Sequence, residues 1–413
     1  MSETRAIILA AGKGTRMKSR LPKVLHKVGG VAILKYILDL TRSLKTYVVV
    51  GHGGDEVRTA VGDSVEYVRQ DKLLGTADAV RRVEPHLRHF SGTLLVLCGD
   101  TPLLEKNVVT RLLAKHKQSK AQATVLTAVI DTPQGYGRIL RDTKGNLRAI
   151  REQKDASPEE ARTKEINVGT YCFDAKALFA ALKAVELNPK KKEFYLPDVI
   201  EILLKEGRRV ATLTTQDPNV AFGVNTREDL AQAEAVIRRR ILKKLMDSGV
   251  SIIDPATTYV EANVAIGQDT VIYPCTAIQA DVKIGKNCRI GPFARVRSGS
   301  RIGDNSEIGN FAEVSRSRLG QKVLMKHFSF LGDARVGNSV NIGAGTVTAN
   351  YDGVNKNITV IEDGAFIGSD SILVAPVRVG KKAIVGAGAV VKKGTHIPAK
   401  AVAVGVPARV LKR

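Results

Sequence analysis

From Leu9 to Met17 the chain reads LAAGKGTRM, followed at residues 21–25 by LPKVL. Gly12 and Gly14 let the backbone approach a polyphosphate closely, and Lys13, Arg16 and Lys23 offer charge to neutralise it. The loop has neither the GKS or GKT ending of a P-loop nor the GxGxxG spacing of a dinucleotide fold, so the glycines alone name no ligand. Asp100, in LLVLCGDTPLL, ends an apolar run, the position at which an α/β nucleotide enzyme holds Mg²⁺. Gly-Asp is equally a common turn. A third residue of interest is His327, in VLMKHFSFLGDA. A histidine titrating near neutrality suits removal of a proton from an amine, although a lone histidine is more often structural.

These residues need elements to hold them. Up to about residue 225, short β-rich runs (Ala6 to Leu9, Tyr47 to Val50, Thr93 to Leu97, Ala123 to Val129) alternate with amphipathic stretches such as Ala32 to Thr41 and Val108 to Lys117. The alternation predicts an α/β domain around a mainly parallel sheet, with ligands at the carboxyl ends of its strands. Thr226 with Asp229 opens, and Gly249 closes, a stretch that reads as one long connecting helix. From residue 251 the period becomes six. Ile266, Ile272, Ile278, Ile284, Ile290, Val296, Ile302, Ile308 and Val314 keep unbroken register, and a second run goes from Ile367 through Leu373, Val379, Val385 and Val391 to Ile397. Hexads of this kind predict a parallel β-helix with the aliphatic residue pointing inward. The register slips between Val314 and Leu324 and again from Asn350 to Ile361, where NYDGVNKN leaves the coil as a loop. The expected division is therefore 1–225, a connecting helix at 226–249, and a β-helix at 250–413.

Composition narrows the partners. With 413 residues, 44% hydrophobic and 25% charged, the chain is long enough for two or three globular domains. Its 64 basic against 41 acidic residues give +23 and imply an anionic partner. There is no Trp, aromatics are 5%, and the longest basic runs are three residues, which favours phosphorylated small molecules over nucleic acid. Cys98, Cys172, Cys275 and Cys288 lack CxxC spacing and read as reduced and mostly packed. No apolar run approaches the ~18 residues that span a bilayer. The expectation is a cytoplasmic protein with neither nucleic acid nor membrane as partner.

The GxGTRM, PK and GD segments resemble those of sugar-1-phosphate nucleotidyltransferases. QDKLLGTADA, GYGRI, REQKDA, EINVGTY and GVNTR, with the hexads behind them, make nearly the whole chain similar to the bifunctional UDP-N-acetylglucosamine pyrophosphorylase / glucosamine-1-phosphate N-acetyltransferase family. That resemblance implies a Rossmann-like mixed-sheet α/β domain, a connecting helix and a left-handed parallel β-helix, assembled as a homotrimer. It implies UTP and acetyl-CoA as co-substrates with Mg²⁺, and Arg16 and Lys23 as catalytic. Leu9, Ala10, Ala11, Gly12, Gly14, Lys23, Gln70, Gly75 and Thr76 would bind the nucleotide, with Gln70, Gly75 and Thr76 on the uracil side. Gly137, Glu152, Asn167 and Asn225 would hold the sugar phosphate, and Asp100 with Asn225 the metal. In the second half the resemblance makes His327 the general base. Arg297, Asn341, Asn350, Tyr351 and Lys356 become acceptor-binding, and Ala344, Ser369 and Ala387 line the acetyl-CoA groove. Small residues also suit β-helix corners, so Ala344 and Ala387 have a purely structural explanation as well.

The chain departs from the family at three positions. Ser315 stands where the family has a phosphate-binding Lys, with Arg316 beside it as a substitute. Phe330 replaces a Tyr, and Lys326 a Gly. The tail AVAVGVPARVLKR offers only Arg409 or Lys412 for the CoA phosphates. These departures keep open an alternative: a nucleotidyltransferase for UTP or dTTP whose β-helix serves assembly or acetylates a different amine.

Overall fold

The computed structural model describes residues 3–189 and 192–411, which divide into two compact units at Glu234 and Ala235.

The first unit is built on a mixed sheet. Its strands are β1 (Thr4–Ala10), β2 (Lys45–Val50), β3 (Glu66–Arg69), β4 (Thr93–Cys98), β5 (Ala123–Val129), β6 (Arg138–Arg141), β7 (Leu147–Arg151), β8 (Glu165–Asp174) and β9 (Val210–Thr215). The main order is β9-β5-β8-β4-β1-β2-β3, with β6 pairing β8 and β7. The strands β1 to β4 pair in parallel, as do β9 and β5, whereas β8 runs antiparallel to both β4 and β5. The alternation of strands and helices accounts for the parallel part. The reversal at β8 has a different origin, since β8 follows the β6–β7 hairpin instead of a crossover helix. Ile7, Ile8, Tyr47, Val48, Leu94, Leu95 and Val96 are fully buried, as strands covered on both faces require.

The long helix covers Arg227–Asp247. Thr226 caps it: its Oγ1 accepts the Asp229 N–H at 3.1 Å, and Asp229 Oδ2 accepts the Thr226 N–H at 2.9 Å. The division between units falls inside this helix. Its first turns belong with the α/β unit, where Glu234 Oε2 accepts the Gly29 N–H, and Leu242 and Leu245 join the core of the β-helix.

The second unit is a left-handed β-helix with three flat faces. Face one starts at Ser251–Ile252, face two at Tyr259–Val260 and face three at Ala265–Ile266; they hold ten, eight and eight strands. All rungs are parallel except the last, where Arg409–Val410 turns back antiparallel on Val402–Val404 and covers the end of face one. The nine-residue hexad run and the six-residue run both point inward. At the first slip the inward residue is Met325, fully buried, and Leu324 is only half-buried. The inward sequence Val314, Leu319, Met325, Leu331, Val336, Ile342 contains two five-residue steps. Sequence periodicity shows the first, and the second, at Leu331 to Val336, is hidden because Gly332 and Asp333 read as an ordinary corner. Corners take left-handed backbone. Asn and Asp tolerate it, but Phe293, Phe311 and Arg316 adopt it too, at φ 55, 53 and 49, and bulky residues there mark functional or strained corners. All four cysteines are free, and Cys98, Cys172 and Cys288 are at least half-covered while Cys275 is exposed, so they are mostly packed as expected.

Candidate functional site

At the carboxyl ends of β1 and β4 lies a cavity of about 680 Å³. It is lined by the glycine loop, by Arg16, Lys23, Gln70, Gly75 and Thr76, and by Asp100, Glu152 and Asn225. Leu9 and Ala10 at the end of β1, with Ala11 directly after it, lie beneath the loop. Gly14 has φ 60, and a Cβ there would stand 2.7 Å from the Cβ of Lys23. Glycine is therefore what lets Lys23 fold against the loop. Gly75, at φ 101, has the Phe194 carbonyl oxygen 2.5 Å from where its Cβ would be, so a side chain would push that segment away.

The ammonium of Lys23 stands between two oxygens. It donates to Asp100 Oδ2 in a short ion pair and to Asn225 Oδ1 at 3.0 Å. Asp100 ends the apolar run of β4, and Asn225 is held by the helix cap, its N–H donating to Asp229 Oδ2 at 2.8 Å. The two oxygens thus converge on one cation from segments far apart in sequence. Among the described residues no group of three or more His, Cys, Asp or Glu could hold a metal alone. Beneath the site, burial first and the Asp100 charge second push the Cys98 thiol up to about 12, so it stays a neutral packing residue.

Gln70 is buried and its amide N–H₂ is fully used, donating to the Gly75 carbonyl at 3.1 Å and to Asp78 Oδ2 at 2.8 Å. Thr76 Oγ1 accepts the Leu196 N–H at 3.0 Å. Gly137 and Asn167 stand behind Glu152: a Cβ on Gly137 would lie 3.2 Å from Glu152 Oε1 and 3.6 Å from Asn167 Cβ. A bulge in β8 between Asn167 and Tyr171 turns Asn167, whose amide donates to the Tyr171 hydroxyl at 2.6 Å. Residue-by-residue reading missed Thr15, Leu73, Glu193, Tyr195 and Pro197, which also line the cavity. The signal was EFYLPD at residues 193–198, an aromatic pair flanked by carboxylates. Its Asp198 carboxyl is pushed up to about 6, by burial first and then by Glu201 and Glu152.

On the β-helix the second group of residues occupies three places. His327 is exposed at the edge between faces one and two. The Gly345 N–H donates to the carbonyl of Phe328, the Asp370 N–H to Ala344 and the Gly388 N–H to Ser369, so Ala344, Ser369 and Ala387 rise on successive coils of the edge that carries His327. The next edge, beyond face two, carries the polar cluster. Arg297 pairs with Glu313 at 3.1 Å, and the Arg316 guanidinium binds both oxygens of Asp333 at 2.7 Å. Asn350 donates to Asp333 in a short hydrogen bond, and Lys356 adds to the positive field around it. Arg316, then the hydrogen bond from Asn350, hold the Asp333 carboxyl below its usual range. Tyr351 and Lys356 bridge the base of the expected loop, which Asp352 closes by accepting from the Val354 and Asn355 N–H groups. Asn341 stands apart on face one. One chain therefore does not bring Asn341 together with Arg297, Asn350 and Lys356.

The departing residues are also placed. Ser315 is fully buried, its Oγ accepting from Arg316 Nη1 at 3.0 Å. The Phe330 ring packs over Gly332, where a Cβ would stand 2.7 Å from it and 2.8 Å from Asn350 Nδ2. Arg409 is exposed on the terminal strand, and Lys412 lies outside the described residues.

Comparison with known proteins follows the same division. Residues 6–245 match the MobA-like NTP transferase domain. Residues 281–316 match the bacterial transferase hexapeptide (six repeats), and 358–393 the hexapeptide repeat of succinyl-transferase. The bifunctional protein GlmU of Heliobacterium modesticaldum is 46% identical over 98% of this chain and 96% of its own length. That of Bacillus subtilis is 44% identical with the same coverage, and that of Geobacillus sp. WCH70 is 45% identical over 95% and 93%.

Proposed function

The chain belongs to the GlmU family of bifunctional proteins, and from that premise we propose how its residues divide the work. The protein makes UDP-N-acetylglucosamine in two steps, acetyl-CoA-dependent N-acetylation of glucosamine-1-phosphate and uridylyl transfer from UTP to the product. The observation that carries the first-unit assignment is the convergence of the glycine loop, Lys23, Asp100 and Asn225 on one cavity of the α/β unit.

In uridylyl transfer a phosphate oxygen of the sugar attacks the α-phosphorus of UTP and pyrophosphate leaves. The attacking oxygen is already ionised, so the protein supplies alignment and charge neutralisation instead of a base. Arg16 and Lys23 neutralise the phosphates at the loop. Gln70 reads the base: with its N–H₂ spent on Gly75 and Asp78, its Oε1 is left to accept an N–H, which uracil offers at N3 and cytosine does not. Glu152, backed by Gly137 and Asn167, holds the sugar hydroxyls. The seat of the Lys23 ammonium between Asp100 and Asn225 supports these two oxygens as the ligands of Mg²⁺, with water and phosphate oxygens completing its shell. Bound there, the metal would withdraw charge from the phosphates.

In acetyl transfer His327 takes the ammonium proton of the amino sugar, freeing the nitrogen to attack the thioester carbonyl and expel CoA as the thiolate. Ala344, Ser369 and Ala387 leave a shallow edge along which CoA lies, and Arg297, Asn350 and Lys356 receive the acceptor phosphate. Asn341 joins them only from another copy, which favours a trimer with its acetyl sites between subunits. Faces one and two carry apolar residues outward, including Phe366 and Ile384 on face one, and the edge between them carries the stacked rings of Phe293 and Phe311, 4.9 Å apart. Such patches are what an interface covers. UTP and acetyl-CoA place the enzyme in the cytoplasm.

Two assays test the reading. Thiol release from acetyl-CoA should require glucosamine-1-phosphate and disappear in His327→Ala, while pyrophosphate release from UTP with N-acetylglucosamine-1-phosphate persists in that variant. Thiol release that survives His327→Ala would overturn the assignment of the base.

A further inference from the structure

Face three of the β-helix has a charge pattern that neither reaction uses. Its outward residues on four successive rungs are Lys283, Arg301, Arg318 and Arg335, in direct register. All four are exposed. None of them forms an ion pair with a described residue, although Arg297, Arg316 and Lys326, on the two edges that bound face two, each hold a carboxylate. Each of the other faces sets one cation beside one carboxylate: Arg289 lies beside Glu307 on face one and Arg295 beside Glu313 on face two. On face three the bare run ends only at Val360, after which Arg378 is paired with Glu362.

Rungs of a β-sheet lie about 4.8 Å apart, so these four cations form a straight row roughly 14 Å long. Like charges directly opposite one another destabilise a sheet, and an external anion would relieve the repulsion along the row. Beside it, where Val360 replaces a long side chain, lies a shallow depression of about 420 Å³ bounded by Arg318, Arg335, Lys381, Glu362 and Asp363. No Phe, Tyr or Trp points outward from the rungs of this face, which run through Val360 and Arg378 to His396, and the one imidazole lies beyond the four-cation row, so single-stranded nucleic acid finds no run of stacking platforms. A duplex presents its phosphates on a strand that winds away from a straight row. A plane of charge meets such a row along its whole length.

We infer that face three is a docking surface for an anionic lipid bilayer, held by phosphate headgroups gathered under Lys283, Arg301, Arg318 and Arg335. The contact is electrostatic and shallow, since no apolar side chain on these four rungs enters the hydrocarbon. It departs from the expectation that a membrane is no partner, and it would account for part of the +23 charge that substrate binding leaves over. The inference stands independently of the two reactions.

The test is co-sedimentation of the full-length protein with large vesicles of phosphatidylcholine alone or with 30% phosphatidylglycerol, in about 50 mM and about 500 mM salt. Each basic residue near an anionic surface contributes roughly fivefold to partitioning. Binding should therefore appear only with phosphatidylglycerol, vanish at high salt, and fall more than about a hundredfold in the triple variant Arg301→Glu, Arg318→Glu, Arg335→Glu. A control with the same change in net charge, Arg42→Glu, Arg88→Glu, Lys205→Glu, should keep most of its binding. Unchanged pyrophosphate release from UTP and unchanged thiol release from acetyl-CoA show that both units of the variants are folded; if the triple reversal fails either check, Arg318→Ala with Arg335→Ala replaces it. Absence of low-salt binding overturns the proposal, as does a control that loses as much as the ladder variant. Displacement by a 20-base-pair duplex at lower phosphate concentration than the lipid would reassign the face to nucleic acid, and displacement by millimolar inorganic phosphate would reassign it to a free anion.

Discussion

Lys23 and Asp100 show how one side-chain contact organises a site. The ammonium, the carboxylate and the Asn225 amide oxygen are mutually satisfied before substrate arrives, so the loop is held in place without ligand. Asp100→Asn removes the charge at nearly constant shape. Uridylyl transfer should fall by at least about a hundredfold, the scale for losing one electrostatic contact to a transferring group, with acetyl transfer untouched; equal losses in both assays would indicate misfolding instead. In the second unit Phe330 lies over Gly332 beside Asn350, where a phenol could donate a hydrogen bond. Phe330→Tyr should lower KM for glucosamine-1-phosphate roughly three- to tenfold, the worth of one neutral hydrogen bond, with kcat little changed. A raised KM would show that the acceptor is not bound there. Arg316, expected to substitute for the missing lysine, spends two of its N–H groups on Asp333, a commitment that its position beside Ser315 in the sequence does not reveal.

Two short elements set the geometry of the first site. The cap of the long helix fixes Asn225 through Asp229 as well as starting the helix. Thr226→Ala should cost about 1 kcal/mol locally, read as roughly fivefold faster hydrogen exchange in the first turn of Arg227–Asp247, and no acceleration there would refute the cap. The helix Asp198–Lys205 opens with a carboxyl titrating at about 6. An unfolded aspartate titrates at about 3.9, so between roughly pH 4 and 6 the native state retains a proton that the unfolded chain has released. The stability tied to Asp198 is thus fully present below about pH 4 and declines as pH rises through 6. Asp198→Asn should therefore gain in Tm over the parent at pH 7.5 and gain little at pH 4.5; a gain independent of pH would exclude the carboxyl as its source.

At the scale of the molecule, the proposed acetyl site draws its residues from two edges and a face of the same prism, an arrangement that, on this proposal, assembly would close. Phe366 on face one is nearly half exposed. Phe366→Glu should convert the assembled species to monomer in light scattering and abolish acetyl transfer while leaving pyrophosphate release from UTP intact. A monomeric variant with full acetyl transfer would mean that each chain carries a complete site. Face three, with its bare row of cations, carries none of these residues on its own rungs, although the edge it shares with face two holds Arg297, Asn350 and Lys356.

The sequence alone carried the elements whose physics is local. Hexads locate the inward positions because each coil repeats the same corner geometry, and the glycine loop, the Thr226 cap and the hydrophobic strands are legible for the same reason. Family resemblance supplied the site residues, and those of the first half line one cavity except Gly137 and Asn167, which stand behind Glu152. Only the tertiary structure could decide what depends on registration between distant segments. The reversal of β8, the capture of Lys23 by Asp100 and Asn225, and the second five-residue step at Leu331 to Val336 are of this kind. So is the row from Lys283 to Arg335. In sequence these four cations are 17 or 18 residues apart, a spacing that means nothing until each turn of the coil returns the chain to the same face.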